Sequence, residues 1–196
     1  MVTAERKNFF KTHLAAYGTG DYNIEAIPVK KQYVHKKLEK NVVITMPVPL
    51  SQGKKKYRSR IIVANDNDFF FDHDLRHIPG MLMVEAVRQM ALAITHAHYS
   101  ISLQERFIIN GLETRFLRLA NKQDPVFVDG LIHKAMIRED IVHYMEGEWY
   151  IHQNTRLNAV IGGIWSTATR DVFKNLAEEL PRAKYPAGTM INSVNK

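Results

Sequence analysis

The sequence lacks cysteine, and it lacks any apolar run long enough to span a membrane. With no cysteine among its 196 residues, disulfides, thiolate nucleophiles and cysteine-containing zinc sites are excluded. A spanning helix needs about 18 consecutive apolar residues, and charged residues interrupt the first 18 residues too early for the apolar centre of a secretory signal. The sequence therefore predicts a cytoplasmic protein without a membrane span.

Acidic residues are the minority among the charges. There are 27 Lys and Arg against 20 Asp and Glu, which gives a net charge of +7 and favours nucleic acid, a phosphate-bearing substrate or an acidic carrier protein as a partner. The longest basic run, KKKYRSR at residues 54–60, is typical of a solvated loop or strand edge. Because only Tyr33 and Tyr57 are interleaved with the basic runs, nucleic-acid binding is not favoured.

The spacing of apolar residues predicts two strands, one long helix and four further strands. Residues 79–98 are apolar on nearly all sides for about five turns, which is typical of a helix surrounded by protein. Residues 41–49 and 61–63 are rich in β-branched side chains and predict two strands joined by the basic loop. Longer runs, separated by polar turns, predict antiparallel strands at residues 107–119, 125–137, 141–152 and 157–169.

This order of elements predicts an α+β protein, in which a curved antiparallel sheet wraps around the long central helix in a hot-dog fold. We expect an N-terminal arm at residues 1–32, the folded domain at residues 33–170, and a C-terminal helix and tail at residues 171–196. A single sheet of this kind leaves a face of the helix and the edge strands uncovered. A homodimer is therefore expected.

The chemistry is predicted to lie in residues 69–89, FFFDHDLRHIPGMLMVEAVRQ, where a polar segment meets the buried helix. The amides at Gly80 and Met81 open the helix and present donors to a thioester carbonyl or an oxyanion. His73 precedes them and is a candidate base. Glu85 lies within the apolar helix, where desolvation is expected to raise its pKa, and Gln89 one turn later is expected to orient it.

These residues also have structural interpretations. His77 is a candidate to orient His73, to act as the base itself, or to pack within the turn. Glu85 could simply pair with Arg88 or with a strand residue such as Arg115. A metal held by His77 together with Asp72, His73 and Asp74 is conceivable, but a second cluster of ligands is missing. We therefore predict no metal and no cofactor.

The stretch HDLRHIPGMLMVEAVRQ, residues 73–89, resembles the hot-dog domain of the A-factor synthase (AfsA) family. The resemblance extends to VHKK at residues 34–37, to VVIT at residues 42–45 and to Phe107. More distantly, the pattern of His, Pro-Gly, Glu-Ala and Gln is similar to that of β-hydroxyacyl-carrier dehydratases. The resemblance covers roughly residues 33–170, although members of the family often carry two such domains.

The resemblance implies transfer of a β-ketoacyl group from an acyl carrier protein to dihydroxyacetone phosphate, toward a γ-butyrolactone-type signal or another secondary metabolite. His73 would act on the hydroxyl, the Gly80 amide on the thioester carbonyl, and Glu85 on the proton. Arg76 or Arg88 would meet the phosphate, and the loop at residues 54–60 would meet the acidic carrier. The acyl chain would lie in a tunnel lined by residues such as Met81, Val84 and Phe107.

Two alternatives use the same residues. A base, a carboxyl group and a helix N-terminus also suit a dehydratase or a thioesterase, because elimination and hydrolysis need the same groups. The second alternative is a non-catalytic module that binds acyl thioesters or lactones.

Overall fold

A computed structural model describes residues 24–50, 55–63, 70 and 76–179. Two short 3-10 helices, η1 (Lys31–Val34) and η2 (Glu39–Asn41), precede the strands β1 (Val48–Pro49) and β2 (Lys56–Ile61). The long helix α1 (Gly80–His98) follows. The remaining elements are β3 (Arg106–Phe116), β4 (Val126–Arg138), β5 (Ile141–Gln153), β6 (Arg156–Ala168) and α2 (Arg170–Glu179).

The described strands form one antiparallel sheet in the order β1-β2-β4-β5-β6-β3. Strands β4, β5 and β6 are consecutive hairpins, and each turn has two residues with positive φ, Glu139-Asp140 and Asn154-Thr155. Such turns match the right-handed twist of the flanking strands. One six-stranded sheet with one long helix confirms the predicted α+β hot-dog fold.

The core lies between α1 and one face of the sheet. Val126, Val128 and Ile132 are buried on the predicted apolar face of β4. Trp149 and Trp165 lie on β5 and β6 with ring centroids 5.3 Å apart. The Trp165 Nε1 donates to Thr95 Oγ1 on α1 over 3.0 Å, which fixes the helix on the sheet.

Residues 56–60 of the predicted basic loop instead belong to strand β2, and this part of the prediction is wrong. Strand β2 pairs with both β1 and β4, and Tyr57, Arg58 and Ser59 on it are almost fully buried. The Arg58 Nε donates to Asp129 Oδ1 over 2.6 Å, and its Nη2 donates to Oδ2 over 2.7 Å. Since a buried arginine requires a paired anion, Arg58 is committed to the fold and does not form a carrier-binding loop.

Candidate functional site

One stripe of α1 faces away from the core. Met81, Val84, Glu85 and Arg88 follow the i, i+3, i+4, i+7 spacing of a single helix face, and after Gly80 they are the partly or fully exposed residues of the first three turns. The other side chains between Leu82 and Met90 are buried. The stripe therefore presents the carboxylate of Glu85 at the edge of the core, where it is accessible without being fully solvated.

The Glu85 carboxylate is held by three side chains. Arg88 donates from Nε to Oε2 over 2.7 Å and from Nη2 to Oε1 over 2.8 Å. The Lys36 Nζ and the Gln89 Nε2 each lie 2.8 Å from Oε1. The ion pair with Arg88 is the structural interpretation of Glu85 that the sequence analysis named. The predicted contact with Gln89 is also present.

These partners reverse the predicted pKa of Glu85. Burial alone raises the pKa of the carboxyl group, but the hydrogen bonds and charges of Arg88, Lys36 and Gln89 outweigh it and lower the pKa to about 2. The expectation of a raised pKa is therefore wrong, because it considered desolvation without the cations. At neutral pH Glu85 is a carboxylate and not a proton donor.

Gln89 connects this carboxylate to the chain before β1. It is fully buried. Its Oε1 accepts from the Val43 amide over 3.0 Å, and its Nε2 donates to the Asn41 carbonyl over 2.8 Å as well as to Glu85. Both polar atoms of this side chain are thus bonded within the protein, and Gln89 holds the Glu85 carboxylate in position.

The start of α1 lies in a separate cleft. Pro79 precedes the helix, and a volume of about 540 Å³ is lined there by His77, Gly80, Met81 and Phe116 together with neighbouring residues. Within the described part of the chain, the Gly80 and Met81 amides make no hydrogen bond. The first amides of a helix are unpaired donors at its positive end, so they are available to a carbonyl oxygen.

The side chain that comes close to Gly80 is Phe116. A Cβ on Gly80 would lie 2.8 Å from the Phe116 Cζ. The Phe116 ring therefore occupies the space that a side chain at position 80 would fill. Phe116 is half exposed. A ligand carbonyl would therefore reach the helix amides beside this ring or after it rotates away.

One of the predicted site residues, Gly80, does not lie beside Glu85. Gly80 and Glu85 are five residues apart, which places them about 140° apart around the helix and about 7.5 Å apart along it. His73, the predicted base, lies outside the described residues, as do Asp72 and Asp74 of the metal alternative. Among residues 24–50, 55–63 and 76–179, no group of His, Asp and Glu side chains is arranged to hold a metal.

An apolar slot lies beside Glu85, between α1 and β3. Val84 and Phe107 line it as predicted, with Trp149 and Trp165 at its base. Met81 does not line it and is 60% exposed in the cleft at the helix start. The slot has a volume of about 60 Å³, which equals about two water molecules, so an acyl chain requires it to widen.

A pair of histidines, which the sequence did not identify as a site, lies close to this network. The His35 Nε2 is 2.9 Å from the His96 Nε2, and the His96 Nδ1 is 3.0 Å from the Ile101 carbonyl oxygen. Since a carbonyl only accepts, His96 carries its proton on Nδ1, and its Nε2 accepts from His35. The VHKK segment, on which part of the family resemblance rests, contains both His35 and Lys36, and Lys36 forms an ion pair with Glu85.

We expect the histidine pair to make stability depend on pH. Burial, with the charges of His96 and Arg88, lowers the pKa of His35 from 6.5 to about 4. The unfolded chain therefore binds more protons between these values, and stability must fall as pH decreases from about 6.5 toward 4. Chemical denaturation across this range measures the slope. A His35→Gln variant keeps a donor toward His96 and should show a shallower slope, whereas an unchanged slope would contradict the assignment.

The family comparison covers the part of the chain that contains these residues. The sequence model of the A-factor biosynthesis hotdog domain matches residues 22–168. The chain belongs to this family. The VHKK segment, the Pro-Gly start of α1, Glu85 and Gln89 all lie within the matched range. No curated protein matches the sequence.

Solved hot-dog proteins share the fold of this A-factor biosynthesis hotdog domain. The dehydratase heterocomplex ApeI:P from Xenorhabdus doucetiae has a TM-score of 0.59 at 11% identity, over 78% of this chain and 99% of the other. A provisionally named thioesterase, yhdA from Lactococcus lactis, has a TM-score of 0.53 at 18% identity, over 69% and 99%. A hot-dog-like protein from Thermanaerovibrio acidaminovorans has a TM-score of 0.51 at 11% identity, over 63% and 88%.

In the described part of this family member, no helix is both long and apolar enough to cross a membrane.

Proposed function

We propose that this protein is an acyltransferase that moves a β-ketoacyl group from an acyl carrier protein to the hydroxyl of a small phosphorylated acceptor such as dihydroxyacetone phosphate. The observation that carries the proposal is the Glu85 carboxylate, held by Lys36, Arg88 and Gln89 beside an apolar slot on the exposed stripe of α1. A hot-dog domain of the A-factor biosynthesis family provides the context.

In the proposed reaction the acceptor hydroxyl oxygen forms a bond to the thioester carbonyl carbon, and the carbon–sulfur bond of the carrier breaks. His73 or His77 removes the hydroxyl proton, and the departing thiolate takes up a proton. The Gly80 amide donates to the oxygen that becomes negative in the intermediate. Glu85 fixes the cations of Lys36 and Arg88 next to the reacting groups, since its low pKa prevents it from donating the proton.

A second copy of the chain is part of this proposal. Strand β3 is an edge of the described sheet and is 11 residues long. It carries the half-exposed apolar residues Ile109, Leu112 and Phe116. Long apolar edge strands pair with other strands unless they are covered. Pairing of β3 with β3 of a second chain would cover this edge and could bring the Gly80 cleft of one copy toward Glu85 of the other.

We expect Leu112→Lys to convert a dimer into a monomer, because it places a charge in the middle of the proposed strand pair. Light scattering after size-exclusion chromatography should give twice the mass of one chain for the wild type and the mass of one chain for the variant. Met136→Lys on β4, where the side chain is 38% exposed, is the control and should remain dimeric. A monomeric wild type at assay concentration would refute the proposed dimer.

Three substrates distinguish the proposed activity from its alternatives. The purified protein should transfer the acyl group from a β-ketoacyl carrier to dihydroxyacetone phosphate, as followed by mass spectrometry of the product. Water loss from a β-hydroxyacyl carrier would instead indicate a dehydratase, and release of free acid without acceptor would indicate a thioesterase. Binding of an acyl carrier without any of these products would indicate a binding module and would refute the proposed enzyme.

A further inference from the structure

A large polar cavity adjoins the cleft at the start of α1. Its volume is about 690 Å³, and its wall is formed by residues just before α1, just after β3 and around the β5–β6 turn. The cavity and the cleft at Gly80 share His77, Arg118 and Leu119. A ligand bound in the cavity can therefore extend to the amides at the start of the helix.

The wall of this cavity is strongly basic. Arg76, Arg118 and Arg156 line it, and no carboxylate does so among the described residues. Arg118 donates from Nη1 to the Leu157 carbonyl over 3.1 Å. Within the described chain none of the three arginines is in a salt bridge with an Asp or Glu. Their charges are thus available to an anion, unlike that of Arg88, which is committed to Glu85.

The wall is held in place by hydrogen bonds of its own. The buried Gln153 donates from Nε2 to the Asp124 carbonyl over 2.8 Å and to the Asn121 carbonyl over 3.0 Å. Its Oε1 accepts from the Asn121 amide over 3.0 Å. The Asp124 carboxylate accepts from the side chains of Asn121 and Asn154. These hydrogen bonds fix the backbone segments next to the arginines. A rigid backbone of this kind favours recognition of a small ligand.

A second, independent feature of the cavity is the side chain of Asn158. It is 2% exposed and lines the cavity. Its Nδ2 donates to the Leu119 carbonyl over 2.9 Å, which fixes the orientation of the amide, because a carbonyl only accepts. The Asn158 Oδ1 is buried and accepts no hydrogen bond from the described residues. Such an acceptor is costly to leave unpaired, so it indicates a ligand that carries a donor.

We propose that this arginine cavity binds a phosphate group of the substrate, and that a hydroxyl or amide N–H of the same ligand donates to Asn158. The inference rests on the proposed function and adds Arg118 and Arg156 to Arg76 as the phosphate-binding groups. Planar guanidinium groups match phosphate oxygens in pairs of hydrogen bonds. The phosphate can come from the phosphorylated acceptor or from the phosphopantetheine arm of the carrier, since both combine phosphate with hydrogen-bond donors.

Binding experiments test the cavity without turnover. Titration calorimetry of the full chain at low salt should show binding of dihydroxyacetone phosphate and much weaker binding of dihydroxyacetone. The variants Arg118→Gln and Arg156→Gln should each bind the phosphate at least about tenfold more weakly, which is about 1.4 kcal/mol, because each loses a charged hydrogen bond to the phosphate. Arg138→Gln, at the exposed end of β4, is the control and should bind as the wild type does.

The same titrations identify the source of the phosphate. If Arg156→Gln weakens binding of 4′-phosphopantetheine but not of dihydroxyacetone phosphate, the cavity holds the phosphopantetheine arm of the carrier. The reverse result assigns the cavity to the phosphorylated acceptor. Both results support the cavity, even if the assay for acyl transfer is negative and the proposed function fails. Equal affinity of Arg156→Gln and the wild type for both phosphates, or an equal loss in Arg138→Gln, would overturn the proposal.

Discussion

Replacing Asp129 with alanine is expected to lower the free energy of unfolding by about 3–5 kcal/mol, because removal of one member of a buried ion pair leaves the other charge unpaired. Asp129 is fully buried and Arg58 is 3% exposed. The two make paired hydrogen bonds of 2.6 and 2.7 Å across the neighbouring strands β2 and β4. The His152 Nε2 lies 3.3 Å from Asp129 Oδ2. No other described carboxylate is paired so deeply in the sheet.

The exposed pair of Glu113 and Arg115 on β3 supplies the matched control. Its carboxylate is 57% exposed, and exposed ion pairs contribute about 0–1 kcal/mol. Urea denaturation of Asp129→Ala and Glu113→Ala should therefore differ by at least about 2 kcal/mol in the free energy of unfolding. If the two variants were equally stable, the Arg58–Asp129 pair would not be a buried structural pair.

This ion pair also shows where prediction from the sequence ends. The apolar period gave α1 to within one residue and placed Val126, Val128 and Ile132 on the core face of β4. It also placed Asp129 on the opposite face of β4. The alternation of residues does not indicate, however, that Asp129 on this second face is buried. The partner of Arg58 lies on another strand, distant in sequence. The charges of the run KKKYRSR alone predict a loop, although residues 56–60 belong to the sheet and Arg58 pairs there with Asp129.

The candidate site was predictable to a similar degree. Helix spacing alone predicted that Gln89 would meet Glu85, and the Pro-Gly pair marked the start of α1. The expected pKa of Glu85 was wrong because it considered burial without Arg88 on the same helix, and without Lys36, which reaches Glu85 from a segment that precedes β1. The pairing of His35 with His96 likewise joins the end of η1 to the last turn of α1. Long-range contacts of this kind are set by the packing of the helix and have no signature in the spacing of neighbouring residues.

Replacing Glu85 with glutamine is expected to reduce turnover by about 10²-fold, the cost associated with a displacement of positioned groups by about 1 Å. Gln cannot fix two cations, so Lys36 and Arg88 would lose the position that the carboxylate imposes. Both cations remain about a quarter exposed, and the substitution should leave the chain folded, as checked by circular dichroism. Glu146→Gln on β5, where the side chain bonds Tyr144, is the control and should keep full turnover.

The pH dependence of turnover separates a fixed carboxylate from a proton carrier. With a pKa of about 2, Glu85 should produce no ionisation in the wild-type profile between pH 5 and 8. Arg88→Gln removes the largest of the interactions that lower the pKa of Glu85, so this pKa must rise. The acidic limb of the pH profile should therefore lie at a higher pH in Arg88→Gln than in the wild type. A wild-type limb that disappears in Glu85→Gln would instead show that Glu85 carries the proton. Full turnover in Glu85→Gln would remove this residue from the mechanism, since the carboxylate is what holds Lys36 and Arg88 beside the reacting groups.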